Sequence, residues 1–242
     1  MSVLIINPEA GHTDGPEEAL WYISPYFEQI RDVVAQRGKD YTYLYREQCI
    51  KDQVWRQLNL KKPKIIVATG HGDSNLYTGY YLDWIFWVDM KNEGFNPNWA
   101  AGTIMLMLSC LTARGLGPYM MDNGASYYLG WKVEYGFAVE PEVRKEENSI
   151  EQFFFKPIEQ AFSRVAVGDL TPKECFDYIA RRYTENAQKV PPHIKELMLS
   201  DRDNMVLLPV TTAPILLADA SYASLGLAVG LGMVHLLNPP QG

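Results

Sequence analysis

The sequence predicts an α/β fold with a mostly parallel central sheet and helices on both faces. Short apolar runs alternate along the chain with segments of helical periodicity, as in successive strand–helix–strand units. Hydrophobic residues make up 47% of the 242 positions, which is enough to fill one large core. We therefore expect a single domain over residues 1–242.

Strands are expected where an apolar or aromatic run ends at a polar residue, a glycine or a proline. These runs are Val3–Ile6, Tyr41–Tyr45, Ile65–Thr69, Ile104–Leu108 and Ala125–Trp131. The runs that start at Val3, Ile65 and Ile104 are almost wholly aliphatic, as is typical of parallel strands that are buried on both faces.

Helices are expected where apolar residues recur at a spacing of three or four, with boundaries set by proline and glycine. We expect them from about Ser24 to Gly38, from Ile50 to Pro63, from Ile150 to Val165, and from Thr171 to about Tyr183. The last of these opens with a capping box of Thr171 and Glu174, with proline at the first helical position.

Two polar segments and an uncharged tail remain to be assigned. Glu140–Ser149 and Thr184–Asn204 are rich in charged residues and prolines and are predicted to be exposed loops or short linkers. The tail from Ala220 to Leu237 has about 18 residues without a formal charge, long enough to cross a membrane. Its glycines and polar residues favour buried strand and turn instead, so we expect no membrane span.

Charge and cysteine content exclude several classes of protein. The formal charge of −7 and the lack of a dense run of Lys or Arg argue against a nucleic-acid partner. The sequence has three cysteines, Cys49, Cys110 and Cys175, which are far apart and form no CxxC motif. Neither a disulfide framework nor a thiolate metal site is therefore indicated. No export signal is visible at the N-terminus. We expect a cytoplasmic protein.

Potentially reactive residues follow two of the apolar strands. Gly70-His71-Gly72 follows Ile65–Thr69, and Ser109-Cys110 follows Ile104–Leu108. A thiol attacks a carbonyl carbon as thiolate, and a histidine is the simplest base to activate it. If the two strands are neighbours about 4.8 Å apart, the two side chains can straddle a substrate bond. The N–H groups of Gly72 and Cys110 are then candidate donors to an oxyanion.

These motifs resemble those of a known group of peptidases. Ile65-Ile-Val-Ala-Thr-Gly-His-Gly72 and Ile104-Met-Leu-Met-Leu-Ser-Cys-Leu-Thr-Ala113 are similar to the signature of the clan of caspases, legumains, gingipains, clostripains, separases and CHAT-domain proteases. The second motif is most similar to the gingipain and CHAT branches, and Gly124–Trp131 resembles the strand that follows their nucleophile. Leu216-Leu-Ala-Asp219 resembles their terminal Leu-x-Gly-Asp-Pro segment, with the glycine and the proline replaced.

The resemblance covers residues 1–220 in order of elements and implies both a fold and an activity. The fold is a caspase-like three-layer sandwich, and the activity is that of a thiol protease, a cysteine endopeptidase. His71 is the acid and base, Cys110 is the nucleophile, and an acyl-enzyme is the intermediate. A protein or peptide is the substrate, and the chemistry needs no metal or cofactor. Because members of the clan are often cut in an exposed loop, Arg144 and Lys145 mark a candidate processing segment.

Two further sets of side chains are possible substrate contacts. Acidic residues near the motifs are candidates for a pocket that binds a basic side chain, although each fits a surface or capping role as well; they are Asp73, Asp83, Asp89 and Asp122. The aromatic residues after His71 either line a groove for an extended peptide or pack in the core; they are Tyr77, Tyr80, Tyr81, Trp84, Phe86 and Trp87. We interpret His12, His193 and His235 as structural or exposed.

Two other functions are compatible with the same residues. A strand-end histidine and a buried cysteine are each structural more often than catalytic, so the chain can also be an inactive caspase-like binding or regulatory module. A small-molecule amidase or amidotransferase that uses Cys110 is a further alternative. Such enzymes place the nucleophile in a Gly-x-Cys-x-Gly elbow, and here Leu108 and Thr112 occupy the glycine positions.

Overall fold

A computed structural model of the chain describes residues 2–9, 18–139, 149–209 and 232–235. Ten strands are formed in these ranges: β1 (Val3–Asn7), β2 (Tyr41–Tyr45), β3 (Ile65–Thr69), β4 (Leu76–Thr78), β5 (Trp84–Trp87), β6 (Ile104–Leu108), β7 (Tyr127–Trp131), β8 (Gly136–Val139), β9 (Met205–Pro209) and β10 (Gly232–His235). The same ranges contain six α-helices: α1 (Glu18–Gln36), α2 (Lys51–Lys61), α3 (Leu116–Asp122), α4 (Gln152–Val167), α5 (Pro172–Asn186) and α6 (Pro192–Asn204).

A six-stranded sheet forms the centre of the fold, in the order β2-β1-β3-β6-β7-β9. The first five strands are parallel to their neighbours, and β9 runs antiparallel to β7. The predicted α/β class with a mostly parallel sheet is therefore confirmed. The strand order reverses direction between β1 and β3, and ligands in open sheets of this kind bind at the carboxyl edge near such a reversal.

Helices cover both faces of this sheet. Alternate residues of the inner strands therefore pack in two separate cores, one on each face. On β3, Ile65 and Val67 pack in the core formed with α1, α4, α5 and α6. Ile66 and Ala68 pack in the core formed with α2 and α3. Every residue of β3 is buried, which explains why its sequence is a continuous apolar run rather than an alternating one.

The start of the first helix differs from the sequence prediction. The first helix begins at Glu18, six residues before Ser24, and Pro25 lies inside it. Leu20 and Ile23 extend the buried stripe of Phe27 towards the N-terminus, so burial of apolar area outweighs the loss of one backbone donor at the proline.

The prediction of an exposed loop over Thr184–Asn204 was wrong. Helix α5 extends to Asn186, and α6 spans Pro192–Asn204 with proline at its first position. Only Ile194, Met198 and Asp201 of α6 are buried, so its apolar stripe is too sparse to be recognised by periodicity. The remaining helix predictions hold: the capping box is formed, with Thr171 N–H donating to Glu174 Oε2 over 2.8 Å.

The other strands form two small sheets. Strands β4 and β5 make an antiparallel hairpin directly after the His71 segment, and β8 pairs in parallel with β10. The β10 strand falls within the tail for which buried strand and turn are predicted, and the rest of that tail lies outside the described residues, as do 140–148. None of the helices in the described ranges combines the length and apolar composition needed to cross a bilayer.

Candidate active site

Strand register brings His71 and Cys110 to equivalent positions. Strands β3 and β6 are neighbours, and their last paired residues are Thr69 and Leu108. The N–H of Gly70 donates to the carbonyl of Leu108 over 3.3 Å, which carries the pairing one step further. His71 and Cys110 each follow two residues after the Thr69–Leu108 pair. The two residues therefore share the carboxyl edge of the sheet, as the sequence predicts for a catalytic pair.

The His71 segment is held by a turn into β4. The carbonyl of His71 accepts from Thr78 N–H over 3.0 Å, and Asp73 N–H donates to the carbonyl of Leu76 over 2.9 Å. These two bonds flank a bridge between Gly72 and Tyr77. In a bridge of this type the N–H of the bridged residue points away from its partner strand. Within the described residues the N–H of Gly72 makes no hydrogen bond, so it is available as a donor.

Gly72 also lies against the segment that contains Cys110. A Cβ atom at this position would come within 2.3 Å of Ser109 Oγ and 2.8 Å of the Cys110 carbonyl oxygen. A glycine is therefore required here by close approach of two chain segments. The sequence predicts that Gly72 lets the backbone approach a substrate, and the structure places Ser109 and Cys110 beside Gly72.

The Cys110 sulfur accepts a hydrogen bond from a backbone amide. Tyr135 N–H, just before β8, donates to Cys110 Sγ over 3.2 Å. A hydrogen bond donated to sulfur favours the thiolate over the thiol, because the negative charge strengthens the bond. The backbone turns sharply directly after Cys110, where Leu111 has a φ of 59°. The N–H of Leu111 donates to the carbonyl of Val133 over 3.0 Å. The segment after β7 thus fixes the backbone around the thiol.

Burial sets the protonation state of the histidine. His71 and Cys110 both have 0% of their surface exposed. Removal of His71 from water lowers its pKa from 6.5 to about 4, because the charged imidazolium loses hydration. The imidazole is therefore neutral at pH 7 and can accept a proton. The role predicted for the Cys110 N–H stays a prediction.

The acidic residues considered for a substrate pocket have other roles or are exposed. Asp83 Oδ2 accepts from Lys51 N–H over 2.5 Å and so caps the start of α2. Asp73 Oδ1 accepts from Asn75 N–H over 2.6 Å within its own turn. Asp89 and Asp122 are exposed. The carboxylates of Asp73 and Asp83 therefore stabilise the local backbone.

The aromatic cluster after His71 divides between core and surface. Tyr77 and Phe86 are fully buried and stack with ring centroids 5.5 Å apart. Tyr81 and Trp84 are 63% and 52% exposed. Core packing explains the buried pair, and only the exposed residues remain as possible peptide contacts. His193 is exposed on α6, whereas His12 and the side chain of His235 lie outside the described residues.

Three residues near the site were not singled out from the sequence. Ser109 is buried beside Gly72, and Tyr135 contributes only its backbone amide to the sulfur. Asp201 lies in α6, where the sequence predicted a loop, and it accepts from Gly136 N–H over 3.1 Å. A backbone donor leaves no mark in the sequence, and Asp201 stands in a charged Asp-Arg-Asp run that is typical of a surface.

In the part of the chain that the structure describes, no three His, Cys, Asp or Glu side chains are grouped closely enough to hold a metal ion. Neither a protein-family model nor a curated protein sequence matches the chain.

Proposed function

We propose that this chain is a cysteine endopeptidase with a caspase-like three-layer fold, in which Cys110 is the nucleophile and His71 is the acid and base. One observation carries the proposal: the β3–β6 register puts these two residues at the same edge of a parallel sheet, two positions past the last paired residues. Open α/β sheets bind ligands at that edge. The resemblance of both motifs to the caspase–gingipain clan supports the same assignment.

The first half of the reaction forms a thioester. His71 removes the Cys110 proton as Sγ attacks the peptide carbonyl carbon, and the carbonyl π electrons move onto oxygen. The N–H groups of Gly72 and Cys110 donate to this oxyanion. When the intermediate collapses, the C–N bond breaks and His71 returns the proton to the leaving amine. The acyl group is then bonded to the Cys110 sulfur.

The second half regenerates the thiol. His71 removes a proton from water, which attacks the thioester carbonyl carbon. The C–S bond breaks, Cys110 recovers the proton, and the carboxyl product leaves. Burial keeps the His71 imidazole in the neutral state that accepts a proton at pH 7, and the Tyr135 N–H donates to the sulfur whenever the sulfur carries negative charge.

Burial of the pair has a consequence for activity. Because His71 and Cys110 are fully buried, a peptide reaches them only after the residues that cover them move aside. The same observation favours the second candidate function, an inactive caspase-like module that keeps the pair without using it. Cleavage within 140–148 at Arg144 or Lys145, outside the described residues, stays a prediction.

A positional peptide library distinguishes the two functions. Wild-type protein is expected to cleave members of the library, and Cys110→Ala is expected to lose this activity by at least about 10³-fold. Iodoacetamide is expected to label Cys110 in the wild type. Cys49→Ala and Cys175→Ala are matched controls, because both thiols are buried and neither follows β3 or β6, and they should retain the activity.

Cleavage that survives in Cys110→Ala would contradict the proposal. Labelling of Cys110 without cleavage of any library member would favour the inactive module. The cleaved sequences also report which residue is preferred before the scissile bond.

A further inference from the structure

Asp201 accepts hydrogen bonds from the residues at both ends of the short segment between β7 and β8. Its Oδ1 accepts from Gly136 N–H over 3.1 Å, and its backbone carbonyl accepts from Trp131 Nε1 over 3.0 Å. Trp131 ends β7 and Gly136 begins β8. A Cβ at Gly136 would come within 2.3 Å of Leu197, so α6 lies directly against this backbone. Asp201 therefore fixes where residues 132–135 lie.

Residues 132–135 are in turn bonded to the segment that contains Cys110. Leu111 N–H donates to the carbonyl of Val133 over 3.0 Å, and Arg114 Nε donates to the carbonyl of Lys132 over 2.5 Å. The third contact is Tyr135 N–H to the Cys110 sulfur at 3.2 Å. Two consecutive amides thus have different acceptors. The N–H of Tyr135 donates to the Cys110 sulfur, and the N–H of Gly136 donates to Asp201 Oδ1.

The side chain of Tyr135 is anchored separately. Tyr183 OH donates to the carbonyl of Phe154 over 2.9 Å, so the 2.6 Å contact between the two tyrosine hydroxyls has Tyr135 as donor. Both tyrosines and the Asp201 carboxyl share this buried region. The Tyr135 ring is therefore held by α4 and α5, whereas the amide that follows it is held by α6.

Burial disfavours a negative charge on the Asp201 carboxyl, which suits a position near a thiolate. Burial raises the pKa of Asp201 well above its ordinary range, and only the hydrogen bond from Gly136 opposes this. Among the described residues Oδ2 has no hydrogen-bond partner. The protonated form, which burial favours, still accepts from Gly136 N–H through Oδ1 and adds no negative charge to repel the sulfur.

We propose that Asp201 is a positioning residue for Cys110, which holds the Tyr135–Gly136 peptide so that the Tyr135 N–H stays directed at the sulfur and stabilises its thiolate. This role rests on the proposed function only in that Cys110 has to react as a thiolate. Asp201 does not contact the substrate.

The test compares two substitutions of nearly equal shape. Asp201→Asn keeps the acceptor oxygen, and Asp201→Leu removes it while filling the same space. The rate of Cys110 alkylation by iodoacetamide is measured from pH 5 to 10 by peptide mass spectrometry. Asp201→Leu is expected to raise the thiol pKa by about one unit and to slow alkylation near pH 7 about tenfold, whereas Asp201→Asn matches the wild type.

Asn186→Ala controls for a general loss of packing. Asn186 is buried on α5 and donates to the carbonyl of Phe153 over 2.9 Å, and it does not bond to residues 132–136. Its removal should lower stability and leave the thiol pKa unchanged. If Asp201→Leu does not fold, Asp201→Ala takes its place.

Equal thiol pKa values in the wild type and in the variant without the acceptor would overturn the positioning role, as would an Asn186→Ala protein with the same rise in thiol pKa. Neither result depends on cleavage of peptides. A reactive Cys110 in a protein that cleaves nothing would contradict the proposed function alone, so the two failures are distinguishable.

Discussion

Replacement of His71 by alanine is expected to slow peptide cleavage by a factor of about 10² to 10⁴, the usual contribution of a positioned acid–base group. His71 follows β3 at the position that matches Cys110 after β6. Without the imidazole, the group assigned to take the thiol proton and to return it to the leaving amine is missing. The rate is measured on a peptide selected from the library, at saturating and at low concentration.

His193→Ala is the matched control for this substitution. His193 is exposed on α6 and should be replaceable without effect on the cleavage rate. A His71→Ala protein that is folded and cleaves at the wild-type rate would contradict the assigned role of His71.

The His71→Ala protein is also expected to lose stability relative to the wild type as the pH rises from 4 to 6.5. The pKa of His71 is about 4 in the folded chain and 6.5 as the ordinary value, so in this interval the unfolded chain binds a proton that the folded chain does not. Stability from His71 is therefore present above pH 6.5 and is lost as the pH falls towards 4. The difference in the free energy of unfolding reaches about 3 kcal/mol.

Asp201 acts in the opposite direction over the same interval. Its pKa is raised on folding from 3.8, so above that pH the folded chain keeps a proton that the unfolded chain releases. Its contribution is present below pH 3.8 and is lost as the pH rises. Asp201→Asn should therefore gain stability relative to the wild type with rising pH. Relative to the wild type, the two variants should therefore have stability profiles of opposite slope.

Urea unfolding at several pH values between 4 and 7 measures these differences. Because the other carboxyl groups are common to all three proteins, their titration cancels when each variant is compared with the wild type. Parallel profiles for the wild type and His71→Ala would contradict a buried, neutral His71.

The central strands and the position of the candidate pair were predictable from the sequence for one physical reason. A parallel strand that is buried on both faces has to be apolar throughout, and β3 and β6 are therefore recognisable as short aliphatic runs. The residues that follow such strands fall at the carboxyl edge of the sheet. His71 and Cys110 could thus be placed at one edge before their register was known.

The parts that could not be predicted depend on tertiary contacts. Pro25 marks a helix start by local preference, but burial of Leu20 and Ile23 carries α1 past it. The polar composition of α6 conceals a helix that contributes Asp201 to the interior. The bond to the Cys110 sulfur comes from a main-chain amide, which any residue at position 135 except proline would supply.

Intact mass spectrometry of the acyl-enzyme tests the central claim most directly. A thioester or p-nitrophenyl ester of a cleaved peptide acylates faster than the acyl group is hydrolysed, and acid quenching then preserves the adduct. We expect the wild type to carry the acyl mass on Cys110 through a bond that hydroxylamine breaks, and Cys110→Ala to carry none. Turnover of the ester with no adduct on Cys110, or with the acyl group on another residue, would contradict the assignment of Cys110 as the nucleophile.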